Sequence, residues 1–200
     1  MSTLEVPNQP SMAVDQIQYL QSRLASSTCF LEYGAGGSTR LAARMGVGQI
    51  FSVESDVQFS TKVMKSALED NSDCGLVMKT PDIGATGPFG YPVDPTKMYR
   101  WPGYALDIWD DIRASGQTPD LVLIDGRFRV ACFAACMIFC NENVEIMFDD
   151  YAGRTKQYGI AEKLCKPTRL EGSMAIFHVP SKRSFPELSA TLARYSCIPK

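Results

Sequence analysis

Apolar and polar positions along the chain follow two periods in turn. Short, largely apolar runs predict strands: "TCFLEY" (28–33), "QIFSVE" (49–54), "GLVMK" (75–79), "PDLVLID" (119–125) and "VEIMFDD" (144–150). The fourth is continuous enough to be buried on both faces. Helical spacing fills the gaps. It predicts a helix over 12–26 with Ile17, Leu20 and Leu24 on one face, and another from Ser38 to Met45. A third covers 56–70, with Phe59, Val63, Met64 and Leu68 as its apolar face. Further helices are expected in "GYALDIWDDIRA", over 129–140, and in "KQYGIAEKLC". "TRLEG" and "SMAIFHVP" predict a closing hairpin that turns at Gly172 and Ser173. Strands alternating with helices imply right-handed crossovers, hence an α/β fold with a doubly wound, mostly parallel sheet covered on both faces. Two hundred residues suit one domain over 1–200.

One segment breaks the alternation. Residues 81–102, "PDIGATGPFGYPVDPTKMYRWP", are rich in Gly and Pro and carry Phe89, Tyr91, Tyr99 and Trp101. A loop this long between regular elements reads as a binding loop or lid. Its aromatics favour an ordered loop, part core and part pocket wall.

Composition narrows the choices. The apolar fraction is 45%, the charged fraction 21% and the net charge −2, which is ordinary for a globular chain and announces no nucleic-acid partner. No apolar run approaches the roughly 20 residues of a membrane span. "MSTLEVPNQPSMAVDQ" has neither the basic start nor the apolar core of a secretory leader, so the cytoplasm is the expected compartment. The seven cysteines include no CxxC pair. Cys132, Cys136 and Cys140 recur every four residues on one helix face and read as small buried side chains of a reduced compartment. The single histidine, His178, falls in the closing strand away from the expected ligand edge and reads as a packed or edge-strand residue.

The chemistry concentrates in "FLEYGAGGSTRLAARMG" (30–46), which runs from strand to glycine loop to helix. In an open α/β sheet, ligands bind beyond the carboxyl ends of the strands where strand order reverses. A dinucleotide reading wants G-x-G-x-x-G, with pyrophosphate on the helix N-terminus. Here the third glycine would fall on Thr39, and Glu32 would face a dianionic pyrophosphate. An acid before the glycines suits a ligand with a positive amino group and no phosphate, and S-adenosylmethionine is such a ligand. Glu54 ends the next strand, 22 residues after Glu32, where a carboxylate can accept ribose hydroxyls.

From about Cys29 to Val179, with "EYGAGGS", "SVESD", "LVLIDGRFRVAC" and "VEIMFDDY" as the carrying motifs, the chain resembles a class I S-adenosylmethionine-dependent methyltransferase. The resemblance implies a Rossmann-like, seven-stranded sheet with an antiparallel last strand. It also implies Glu32, Gly34, Ala35, Gly36, Gly37 and Ser38 around the methionine part, Glu54 with Ser55 on the ribose, Asp82 with Ile83 at the adenine, and Asp125 at the cofactor's edge. Ser38 stands where many members have a third glycine, which adds a hydroxyl donor.

Asp125 ends the fourth strand, and Asp149 and Asp150 end the fifth. Three converging carboxylates repel unless a cation joins them, and an oxygen-rich set favours Mg²⁺ or another divalent ion. The set is similar to that of catechol-type O-methyltransferases. That similarity implies Asp125, Asp149 and Asp150 as metal ligands or bases, and a metal that lowers the pKa of the acceptor hydroxyl. Where those enzymes carry a lysine base this chain has Phe128, flanked by Arg127 and Arg129. Alternatively the acids pair with Arg127, Arg129 or Arg154. The two arginines beside Phe128 can also clamp an anionic group of the substrate.

The expected activity is methyl transfer to a small molecule, with O-methylation leading and Asp125, Asp149, Asp150 and Arg127 as the working residues. The partner is a small-molecule acceptor, and neither nucleic acid nor membrane. A homodimer is one assembly the sequence allows. Two alternatives stand beside it: a methyltransferase-like protein that holds the cofactor without turnover, and an NAD-linked oxidoreductase. No "DPPY"- or "NPPY"-type motif for an exocyclic amine is present.

Overall fold

In the computed structural model, which describes residues 5–200, seven strands form one sheet in the order β3-β2-β1-β4-β5-β7-β6. They are β1 (Cys29–Tyr33), β2 (Gln49–Val53), β3 (Gly75–Lys79), β4 (Leu121–Ile124), β5 (Glu145–Phe148), β6 (Arg169–Glu171) and β7 (Met174–His178). β1 to β5 are mutually parallel, and β7 inserts antiparallel between β5 and β6. The expected fold, including the closing hairpin, is therefore the one observed. The stretch expected to carry no leader begins in residues 1–4, outside those described.

Every residue of β1, β4 and β5 is buried, as largely apolar runs require of strands covered on both faces, with Glu32 and Glu145 as the exceptions in composition. Alternate side chains serve opposite layers. Phe30, Ile50, Leu121, Leu123 and Met147 face α1 (Val14–Leu24), α2 (Gly37–Arg44) and α3 (Val57–Asp70). Leu31, Tyr33, Val53, Ile124 and Phe148 face the other core, with α4 (Gly103–Leu106), α5 (Ile108–Ser115), α6 (Arg129–Phe139) and α8 (Phe185–Tyr195). A short α7 (Thr155–Tyr158) follows β5.

Three sequence expectations need correction. The inner face of α3 is Ser60, Val63 and Ala67, while Met64 and Leu68 are exposed. Small side chains let α3 lie close to the sheet, and the larger ones spill to its flank. Helix α8 adds an element beyond those expected, although Ser184, Pro186 and Glu187 make a start signal and Leu188 is buried beneath it. In the long loop Trp101 is core, but Phe89 and Tyr99 are exposed, so the aromatics divide between core and solvent rather than lining a wall. That loop holds two 3₁₀ turns, Pro88–Gly90 and Pro95–Arg100, and a bridge between Thr86 and Pro92. All seven cysteines are free, with Cys132, Cys136 and Cys140 buried on α6 as expected.

Candidate functional site at the carboxyl edge of the sheet

The strand ladder runs one residue past the strands. The Gly34 N–H donates to the Val53 carbonyl, the Glu54 N–H to Lys79, the Asp125 N–H to Tyr33 and the Asp149 N–H to Ile124. Gly34, Glu54, Asp125 and Asp149 thus stand in one row along the carboxyl edge, astride the point where β1 has β2 on one side and β4 on the other. This is the crevice where open α/β sheets bind ligands.

The glycine turn is held from behind. Gly34 has φ +97°, and a Cβ there would come within 2.7 Å of the Gly126 backbone, so only glycine fits between the ends of β1 and β4. Glu32 has no exposed surface. Its carboxylate accepts the Ser38 hydroxyl at 2.6 Å, the Ser52 hydroxyl at 2.7 Å and the Thr39 hydroxyl. The Gly36 N–H in turn donates to the Thr39 hydroxyl at 3.0 Å. Burial pushes the Glu32 carboxyl up to about 7, against the pull of those hydroxyls. Glu32 braces the loop from inside, and the Ser38 hydroxyl points back to Glu32 rather than outward. Ala35 and Gly34 are the half-buried residues of the turn, with Gly36 and Gly37 buried behind them.

Glu54 and Ser55 lie under the long loop. The Glu54 carboxylate accepts the Asp56 N–H at 2.8 Å, and the Ser55 hydroxyl donates to the Gly90 carbonyl at 3.1 Å. Burial raises the Glu54 pKa. The adenine pair is split. Asp82 is exposed, caps the Gly84 N–H at 3.0 Å and pairs with Arg100, while Ile83 is buried and its carbonyl accepts the Trp101 indole N–H at 3.1 Å. Arg100, the last residue of the second 3₁₀ turn of the loop, and Trp101, which follows it, take Asp82 and Ile83 as partners in opposite directions.

Phe128 is buried in a left-handed conformation (φ 52°) between Trp101 and Tyr104, with ring centroids 5.8 and 5.4 Å away. The Tyr104 hydroxyl accepts the Arg127 N–H at 3.2 Å. The position that carries a lysine in the resembled enzymes is thus an aromatic plug.

Asp125, Asp149 and Asp150 do converge, with one carboxylate oxygen of each within 4.8 Å of the others. A guanidinium already joins them. Arg129, on the first turn of α6, reaches Asp125 Oδ1 at 2.9 Å and Asp150 Oδ2 at 3.4 Å, and donates to the carbonyls of Gly126, Asp149 and Asp125. Arg154 adds a second cation, 3.2 Å from Asp150. Gln16 donates to Asp149 Oδ1 at 3.1 Å. A divalent ion at this point would sit against two guanidiniums, so the donor set as arranged does not fit one. Burial raises the Asp125 pKa to about 8 and also raises that of Asp149. Arg129 pulls Asp125 the other way, and the neighbouring Asp149 and Asp150 carboxyls push it further up. Arg127 does not join the cluster. Among the described residues it makes no ion pair, and its Nε is buried without a partner.

His178 lies at the opposite end of β7, 3.4 Å from Glu145, far from the row of strand-end acids. Among the described residues no helix is long and apolar enough to cross a membrane.

No protein-family model and no curated protein matches the sequence. Solved structures do. A methyltransferase-like protein from Silicibacter pomeroyi is 34% identical, covers 96% of this chain and 100% of its own, and superposes with a TM-score of 0.82. The O-methyltransferase TomG from Streptomyces achromogenes, solved with S-adenosylmethionine, is 15% identical over 86% of this chain and 82% of its own, with a TM-score of 0.57. A putative O-methyltransferase from Klebsiella pneumoniae is 15% identical over 88% and 84%, with a TM-score of 0.55. The last two share the fold. The first, matched over 96% of this chain and all of its own, places this chain in a methyltransferase-like family, and the 3-2-1-4-5-7-6 sheet is that of the class I S-adenosylmethionine-dependent methyltransferase fold.

Proposed function

We propose that the protein transfers the methyl group of S-adenosylmethionine to an oxygen of a small molecule. The row formed by Gly34, Glu54, Asp125 and Asp149 at one sheet edge carries this reading. The sulfonium supplies an already activated methyl group, whose carbon–sulfur electron pair stays on sulfur when the acceptor oxygen bonds to carbon.

The chain's own residues then have three tasks. The glycine turn and Glu54 hold the methionine and ribose parts, as the family resemblance implies. Gly36 favours the reading, since a Cβ built there meets nothing within 4 Å, which leaves room for a ligand over the turn. The segments after β4 and β5 orient the acceptor, and alignment is the larger part of the work for so reactive a methyl group. Asp125, partly open to solvent and with its pKa raised, takes the proton that the acceptor oxygen loses. No step is assigned to a metal, because Arg129 and Arg154 hold the cation positions.

Calorimetry with S-adenosylhomocysteine tests the proposal. Micromolar binding that Glu54→Ala weakens about tenfold, about 1.4 kcal/mol, is expected. No binding to the wild type, or binding indifferent to Glu54→Ala, overturns it. Binding without turnover on any acceptor would favour the cofactor-holding alternative, which the plugged Phe128 position supports.

A further inference from the structure

A cleft of about 590 Å³ opens between the segment after β4 and the segment after β5, within the range of small-molecule sites. Arg127, Arg154, Lys156 and Lys200 line it together with Thr155 and Gln157, and among the described residues no acidic side chain does. Arg127, Arg154 and Lys156 bring positive charge to one cavity although the whole chain is acidic. Only Arg154 among them has an ion pair among the described residues, with Asp150 at 3.2 Å. The buried Nε of Arg127 has no hydrogen-bond partner. A buried N–H left without an acceptor is costly, and an anion bound at this half-buried side chain would remove that cost.

The cleft also has a fixed relation to the row of strand-end residues. Arg127 follows Gly126, which packs against Gly34 of the glycine turn, and Arg154 bridges from the cleft to Asp150. Arg127 and Arg129 therefore part company. Arg129 is an internal strut for the carboxylates, whereas Arg127 serves the cleft.

We infer that this cleft is the acceptor subsite and takes a small molecule carrying an oxyanion, a carboxylate or a phosphate. The guanidinium fork of Arg127 and the Lys156 ammonium hold the anion, and that contact turns the rest of the acceptor toward Asp125. The inference rests on the methyl-transfer reading for the word acceptor, but the anion site is testable without it.

The full-length protein is titrated at low salt with inorganic phosphate and, separately, malonate. Backbone amide shifts of residues 153–157 are followed in the wild type, Arg127→Gln, Arg127→Lys, Lys156→Gln and, as a control outside the cleft, Lys182→Gln. S-adenosylhomocysteine binding is measured on the wild type in parallel. Saturable shifts are expected, with Kd raised five-fold or more by Arg127→Gln and Lys156→Gln, partly restored in Arg127→Lys, and unchanged in Lys182→Gln. The tighter of the two probes identifies the acceptor's anion. Absence of saturable shifts, or an equal loss in Lys182→Gln, overturns the anion site even where S-adenosylhomocysteine binds. Oxyanion binding at Arg127 with no S-adenosylhomocysteine binding overturns the acceptor role and the methyl-transfer reading together.

Discussion

Arg129 Nη2 lies 2.9 Å from Asp125 Oδ1, one helical turn apart in sequence, and the same buried guanidinium reaches Asp150 at 3.4 Å. A side chain that is 3% exposed thereby does what the sequence pattern assigns to a divalent cation. Wild-type protein is expected to show no change in melting temperature or affinity with Mg²⁺ or EDTA. Arg129→Met leaves Asp125 without its cation and three carbonyls short of a donor, and is expected to cost about 3–5 kcal/mol. Added Mg²⁺ should then raise the melting temperature of the variant but not of the wild type. A wild-type response to Mg²⁺ would return the cluster to the metal reading.

Glu32 gives a pH signature. Its folded-state carboxyl titrates at about 7, against about 4.3 for an unperturbed glutamate. The folded protein therefore binds more protons than the unfolded chain between those values. The stabilising effect of protonation is complete below the lower value and lost as pH rises through the upper one. Glu32→Gln removes this component, so its stability is expected to fall less steeply between pH 4 and 7 than that of the wild type. Urea midpoints across that range, at constant ionic strength, make the comparison.

Asp125 as base gives a kinetic one. Only its ionised form accepts a proton, and burial raises its pKa to about 8. With an acceptor identified, the rate of S-adenosylhomocysteine formation should climb with pH and level off above about 8. Asp125→Asn should flatten the profile and lower the rate by about 10²- to 10⁴-fold. A profile unchanged in that variant would remove Asp125 from the chemistry.

Gly37 tests how the glycine turn is braced from outside. Residues 6–10 cross α2, where Arg40 and Arg44 bond Asn8, and a Cβ on Gly37 would overlap the Gln9 carbonyl. Gly37→Ala is expected to lift this strap, at a cost of about 1–3 kcal/mol. Faster proteolysis within residues 5–12 is the readout.

The strands were legible because central parallel strands are buried on both faces and leave continuous apolar runs, as "LVLI" of β4 does. The strand-end acids were legible for the same reason, since strand ends fix positions along an edge. The direction of a side chain was not. Ser38 and Asp82 both sit where the motif puts them, yet one turns inward to Glu32 and the other outward to Arg100, under the influence of partners distant in sequence or in the irregular loop. Arg127 and Arg129 differ by two positions and have unlike roles because α6 begins between them. Helix α8 had start signals and Leu188 and Leu192, but Ser189, Ala190 and Thr191 dilute its stripe.

The bond from Ser55 to the Gly90 carbonyl sets a further condition on recognition. A Cβ on Gly90, already at φ +69°, would stand 3.2 Å from the Glu54 carboxylate, so the loop backbone lies close to the carboxylate that the proposed function gives to the ribose hydroxyls. On that proposal, the loop and the ribose compete for the same carboxylate. Every equilibrium affinity measured for the nucleoside is then the intrinsic affinity reduced by the fraction of molecules whose loop stands open. A substitution in the loop, nowhere near the ligand in the bound state, can tighten binding simply by making the closed arrangement rarer.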